Sequence, residues 1–122
     1  MSFNWGPRYI VPSSVFKSYS GTVVLREDFN EGLLHKELES LGISGSIANI
    51  TNPWYYRRKG ADTWIKIGES NDRHDNFPSE WDTRRLENGQ YEVMGLMHVF
   101  VKRNGSETAI ARQNVVEVTV DN

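Results

Sequence analysis

The stretch from Gln90 to Arg103 constrains this chain most. Along it, Tyr91, Val93, Gly95, Met97, Val99 and Val101 fall at one parity, and Met94, Leu96, His98 and Phe100 at the other. Successive side chains of a strand point to opposite faces, so a run apolar at both parities reads as a central strand. It opens at Asn88-Gly89 and closes at Asn104-Gly105-Ser106, both tight-turn signals. After the second turn come Thr108-Ala109-Ile110-Ala111 and then Val116 to Val120. There the valines at every second position face inward and Glu117 and Thr119 outward, as in a closing strand.

The earlier part of the chain repeats the theme in shorter pieces. Thr22-Val23-Val24-Leu25 follows Gly21 and is rich in β-branched residues, which predicts a strand ending where residues 28 to 32 turn polar. Leu34, Leu38 and Leu41 stand at helical spacing and Gly42 is a C-terminal stop, so a short helix near residues 33–41 is one reading and an irregular connection the other. From Ile43 the period returns to two, through Ile47 and Ile50 to Trp54-Tyr55-Tyr56, with Pro53 expected to break the run. Trp64 to Gly68 alternates again and should pair with it as a hairpin. Residues 70–76 are polar and read as a solvated loop. Short strands separated by Gly, Asn and Pro turns are the pattern of a sandwich or barrel, not of alternating strands and helices.

At 122 residues the chain is the size of one domain. We divide it into an extended arm at 1–20, where Pro7, Pro12 and scattered aromatics show no clean period, and a β-sandwich at 21–122. The 14 basic and 16 acidic residues give a net charge of -2 and are mixed along the chain, which argues against nucleic acid as a partner. The basic cluster Arg57-Arg58-Lys59 reads as solvated charge at a strand end. Without cysteine there is no disulfide, zinc-thiolate site or thiol nucleophile. No apolar run is long enough for membrane insertion, and the polar start lacks the features of a signal peptide.

One segment carries a family resemblance. Trp81-Asp82-Thr83-Arg84-Arg85-Leu86-Glu87-Asn88-Gly89-Gln90-Tyr91 resembles the W-D-T-x-x-L-x-[DN]-G-x-Y segment of bacterial immunoglobulin-like or fibronectin type III-like modules. It is followed, as there, by a long strand and a terminal V-x-V-T-V-D-N. The likeness spans roughly Ile43 to Asn122. It implies an all-β, immunoglobulin-like antiparallel β-sandwich serving as a non-catalytic module of a multidomain surface or secreted protein, with neighbouring domains as partners. The segment's residues also have physical roles of their own. Trp81 covers one end of the core, Asp82 or Thr83 bonds nearby backbone amides, and Tyr91 buries its ring while its hydroxyl bonds back across the corner.

The remaining residues point to no catalytic or metal site. His35, His74 and His98 are far apart and in no ligand spacing. Asp72, His74, Asp75 and Glu80 lack the order of a dedicated calcium loop. There is no nucleophile elbow, phosphate loop or dinucleotide fingerprint, so no cofactor is implied. Asn49-Ile50-Thr51 and Asn104-Gly105-Ser106 match the glycosylation triplet, which matters only in a host that glycosylates secreted proteins.

The surplus is aromatic. Trp54 and Tyr56 must face opposite to Tyr55, and Trp64 lies on the adjacent strand. Trp54, Tyr55 and Trp64 are therefore the candidate binding residues, for a polysaccharide or a protein ligand. The competing reading covers the outward ring with the N-terminal arm through Trp5 and Tyr9. Two functions follow: a structural spacer, or a carbohydrate- or protein-binding module. Both place the chain outside the cell or at its surface. A third reading, a self-contained protein acting through assembly, places it in the cytoplasm if Met1 is the native start.

Overall fold

The computed structural model describes residues 2–4, 10–11, 18–27, 31–43 and 45–122. The elements in chain order are β1 (Ser2–Asn4), β2 (Ile10–Val11), β3 (Ser18–Tyr19), β4 (Thr22–Glu27), α1 (Glu31–Ser40), β5 (Ser46–Arg58), β6 (Ile65–Ser70), β7 (Ser79–Asp82), β8 (Gly89–Arg103) and β9 (Ser106–Val120). They form an all-β sandwich with one short helix. The larger sheet runs β1-β9-β8-β5-β6 with β3 also on β9, and the smaller runs β2-β4-β7. Pairing is antiparallel except that β1 and β3 lie parallel to β9. Trp5 and Tyr9, the expected cover for an outward ring, lie outside the described residues.

β8 and β9 make the backbone of the fold, an unbroken ladder from Gly89 opposite Val120 to Arg103 opposite Ser106. Its two-residue connection has positive φ at both Asn104 (50°) and Gly105 (79°), the hallmark of the hairpin turn that matches strand twist. The two pieces expected at 108–111 and 116–120 are thus one strand. The polar residues between them, Arg112 to Asn114, keep their backbone places opposite Met97 to Gly95.

Pro53 likewise fails to end β5. It sits opposite Glu69 of β6, while the ladder to β8 passes from Thr51–His98 to Trp54–Gly95 with no pair at Pro53. A residue without an N–H is tolerated where the ladder asks nothing of it.

Two apolar clusters lie on the same inner face of the larger sheet. In the first, Tyr19, Leu25 and Trp81 pack on Trp54, Tyr91, Val93, Val118 and Val120, between the two sheets. In the second, Leu34 and Leu38 of α1, with Phe77, cover Ile50, Met97, Val99, Val101 and Ile110. The helix is there because the smaller sheet is short. β8 has 15 residues, about 50 Å, whereas β4 has six, about 20 Å, so half of the inner face needs another cover.

The helix ends where the sequence stops it. Gly42 adopts φ 72°, its N–H donates to Glu39 O (3.0 Å), and Ile43 N–H donates to Leu38 O (2.9 Å). This C-terminal motif folds Ile43 back onto the second cluster and leaves Leu41, the third residue of the leucine pattern, 40% exposed.

Residues 70–77 are more ordered than a solvated loop. They contain a 3₁₀ turn at Arg73–Asp75, with Asp72 accepting from His74 N–H (3.2 Å). Glu27 N–H donates to Asn76 O (2.9 Å), Arg73 pairs with Glu31 of the helix (3.1 Å) and Asp75 with Arg26 of β4 (3.4 Å). The polar side chains brace the place where strand gives way to helix.

Candidate functional surface

The three sequence-derived candidates separate. Trp54 is 0% exposed, and its indole N–H donates to Phe77 O (2.9 Å). Its ring is core, opposite Gly95 on the inner face, and cannot meet a ligand on the folded domain. Tyr55, one residue on, points outward opposite Met94 and Lys66, and Trp64 precedes β6 on that outer side. Both are half-buried. The parity rule therefore places Trp54 and Tyr56 inside and Tyr55 outside.

The outer face of β5, β8 and β9 carries an apolar band, with Tyr55, the buried Met94 and Val115 in one cross-strand row and Leu96 and Phe100, with His98 between them, further along β8. Val115 is 39% exposed. Charge borders this band. Arg57 lies with its guanidinium 4.2 Å over the Trp64 ring and its Nε 2.9 Å from Glu92, joining a cation–π contact to an ion pair. Glu92 stands directly opposite Glu117, a like-charge pair offset by Arg57 on one side and Lys59, 3.1 Å from Glu117, on the other. Arg58 pairs with Glu87 (2.8 Å). All three cations of the basic cluster are thus matched to carboxylates.

At the opposite end from the helix, polar groups hold the chain together. Thr83 N–H and Oγ1–H both donate to Gly21 O (2.9 and 2.6 Å), Asn122 Nδ2 donates to Thr83 O (2.6 Å), and Asn122 N–H donates to Asn88 Oδ1 (2.9 Å). Tyr91 hydroxyl donates to Glu87 O (2.7 Å), the bond across the corner that the sequence leads one to expect. Asp82 accepts from Arg84 through side chain and backbone, and these hydrogen bonds hold its carboxyl down to about 2.

Sequence reasoning missed a polar layer between the two clusters. Glu27, Asn52 and Arg112 are 5%, 0% and 7% exposed on the inner face, and Asn114 Nδ2 donates to Glu27 Oε1 (3.2 Å). Glu27 is the last residue of β4, where the smaller sheet ends. Its carboxylate rests on Gly95. The available signal was Gly95 itself, a residue without a side chain in the middle of an apolar strand face, which marks the close approach of another group.

Asp72 and Asp75 are engaged in the turn and with Arg26, and the described residues include no group of three or more His, Asp or Glu side chains placed to hold a metal ion. No described helix is long and apolar enough to cross a membrane. In comparisons with known proteins, the chain matches no family model, no curated protein and no solved structure.

Proposed function

We propose that this chain is a non-catalytic, immunoglobulin-like structural module, a spacer within a larger extracellular or surface protein whose partners are its neighbouring domains. The observation that supports this reading is the strand order. Taken as A, B and E, strands β2, β4 and β7 form one sheet. Taken as C, C′, F and G, strands β5, β6, β8 and β9 form the other in the order G-F-C-C′, an arrangement in keeping with immunoglobulin-type sandwiches. Tyr91 at the start of the F-position strand, bonded back to Glu87 O, corresponds to the tyrosine corner of that architecture.

A second reading rests on the outer face. Tyr55, Trp64 under Arg57, and the exposed Val115 offer rings and apolar surface with a charged border, the composition of a carbohydrate- or protein-binding surface. One experiment separates the two. The isolated chain is titrated with a panel of polysaccharide fragments and with calcium while tryptophan fluorescence is followed. Silence across the panel from a cooperatively folded domain is the result expected of a spacer. A saturable shift, abolished by Trp64→Ala with the unfolding midpoint unchanged, establishes the binding module instead.

A further inference from the structure

The sequence holds two Asn-Gly dipeptides, Asn88-Gly89 and Asn104-Gly105, and the fold treats them differently. Asn-Gly is the dipeptide in which a backbone amide nitrogen most easily reaches the preceding side chain, because glycine places no Cβ in the way. The Gly nitrogen attacks Asn Cγ, ammonia leaves, and a five-membered succinimide forms. Water then opens either carbonyl, giving aspartate or isoaspartate. The only co-reactant is water.

At Asn88 the fold opposes this step. Its Oδ1 accepts from Asn122 N–H (2.9 Å), which fixes the side-chain amide, and Gly89 is already a strand residue opposite Val120. At Asn104 none of these restraints exists. The residue is exposed at the tip of the β8–β9 hairpin, and the ladder closes one step earlier, at Arg103–Ser106. The Gly105 amide therefore lies outside the ladder, and no heavy atom beyond Gly105 and its two chain neighbours lies within 4 Å of where a Cβ on Gly105 would stand. No hydrogen bond to the Asn104 side chain occurs among the described residues.

The geometry points to Asn104 as a site of spontaneous deamidation, selective over Asn88 in the folded chain. The product matters to the fold. Aspartate adds a negative charge beside Arg103 and tolerates positive φ, whereas isoaspartate inserts a methylene into a connection whose two residues are set by the strand twist. Damage at this tip would loosen the longest ladder from its closed end.

The test uses the full chain from a host without N-glycosylation, since Asn104 also begins the triplet Asn104-Gly105-Ser106. Folded protein is held in mildly alkaline buffer at physiological temperature for several weeks. Peptide mass mapping and isoaspartyl methyltransferase labelling then give the conversion at each asparagine. Conversion at Asn104 should exceed that at Asn88 by roughly tenfold or more, because Asn88 reacts only after its bond and its strand pairing open. In denaturant the two rates should converge, and Asn104→Gly should remove most of the product in the folded protein. Equal rates in the folded chain, or faster conversion at Asn88, would overturn the assignment.

Discussion

At position 95 even a methyl group has no room. A Cβ there would stand 2.5 Å from Glu27 Oε2 and 2.8 Å from its Cδ, inside any real non-bonded approach. Gly95 and Glu27 are therefore one device, in which a buried carboxylate at the end of β4 is seated on the larger sheet with Asn114 as a donor. Gly95→Ala should destabilise the domain by about 2 kcal/mol, the usual range for forced overpacking. In a Glu27→Ala background the same change should cost less than about 1 kcal/mol, since the obstructing atoms are gone. Urea unfolding of the four proteins of this cycle reads the coupling, and an unchanged cost in both backgrounds would mean that the carboxylate moves aside freely. Single residues were legible in the sequence only as parities. Alternation put Tyr55 and Trp54 on opposite faces. Which face was the core depended on where the smaller sheet lies, which residues 43 to 68 do not encode.

The helix shows what an element owes to its end. Leu34 and Leu38 supply the buried stripe, but Gly42 sends the chain back so that Ile43, not Leu41, completes the contact. The space around Gly42 is open, so Gly42→Ala tests backbone conformation alone. The substitution should cost about 1 kcal/mol through the positive φ of 72°. Thermal unfolding measures it, and a cost near zero would show that the helix terminus rearranges without loss. The hairpin and the closing strand were legible, and the helix legible as one of two readings, because each carries its own local signal: an Asn-Gly turn, alternating valines, leucine spacing with a glycine stop. The continuity of β5 through Pro53 and of β9 through Arg112-Gln113-Asn114 was not. In both cases the strand is held by long-range pairing partners, and local propensity is overridden.

For the molecule as a whole, the question is whether two apolar clusters separated by a polar layer make one folding unit or two. The first cluster contains Trp54 and Trp81, so tryptophan fluorescence reports it, while no described tryptophan belongs to the second. The second can be followed through the amide exchange of Leu38 and Val99. Detaching α1 would uncover Leu34 and Leu38 and, beneath them, Met97, Val99, Val101 and Ile110, at about 1.5–3 kcal/mol for each fully buried side chain and on the order of 10 kcal/mol together. Total stabilities of domains this size are about 5–15 kcal/mol. That burial is a gross term, offset in part by the conformational entropy the freed helix regains, but its size ties the helix to the rest of the fold. Strand β8 couples the two clusters further, because Tyr91 and Val93 belong to one and Met97, Val99 and Val101 to the next along a single 15-residue strand. Fluorescence should accordingly show one transition, and the opening free energies of Leu38 and Val99 should match that of Val93 to within about 1 kcal/mol. If Leu38 exchanged through an opening several kcal/mol easier than that of Val93, the polar layer of Glu27, Asn52 and Arg112 would mark a boundary between two cooperative units. The helix would then be an attachment to the sandwich, not part of its core.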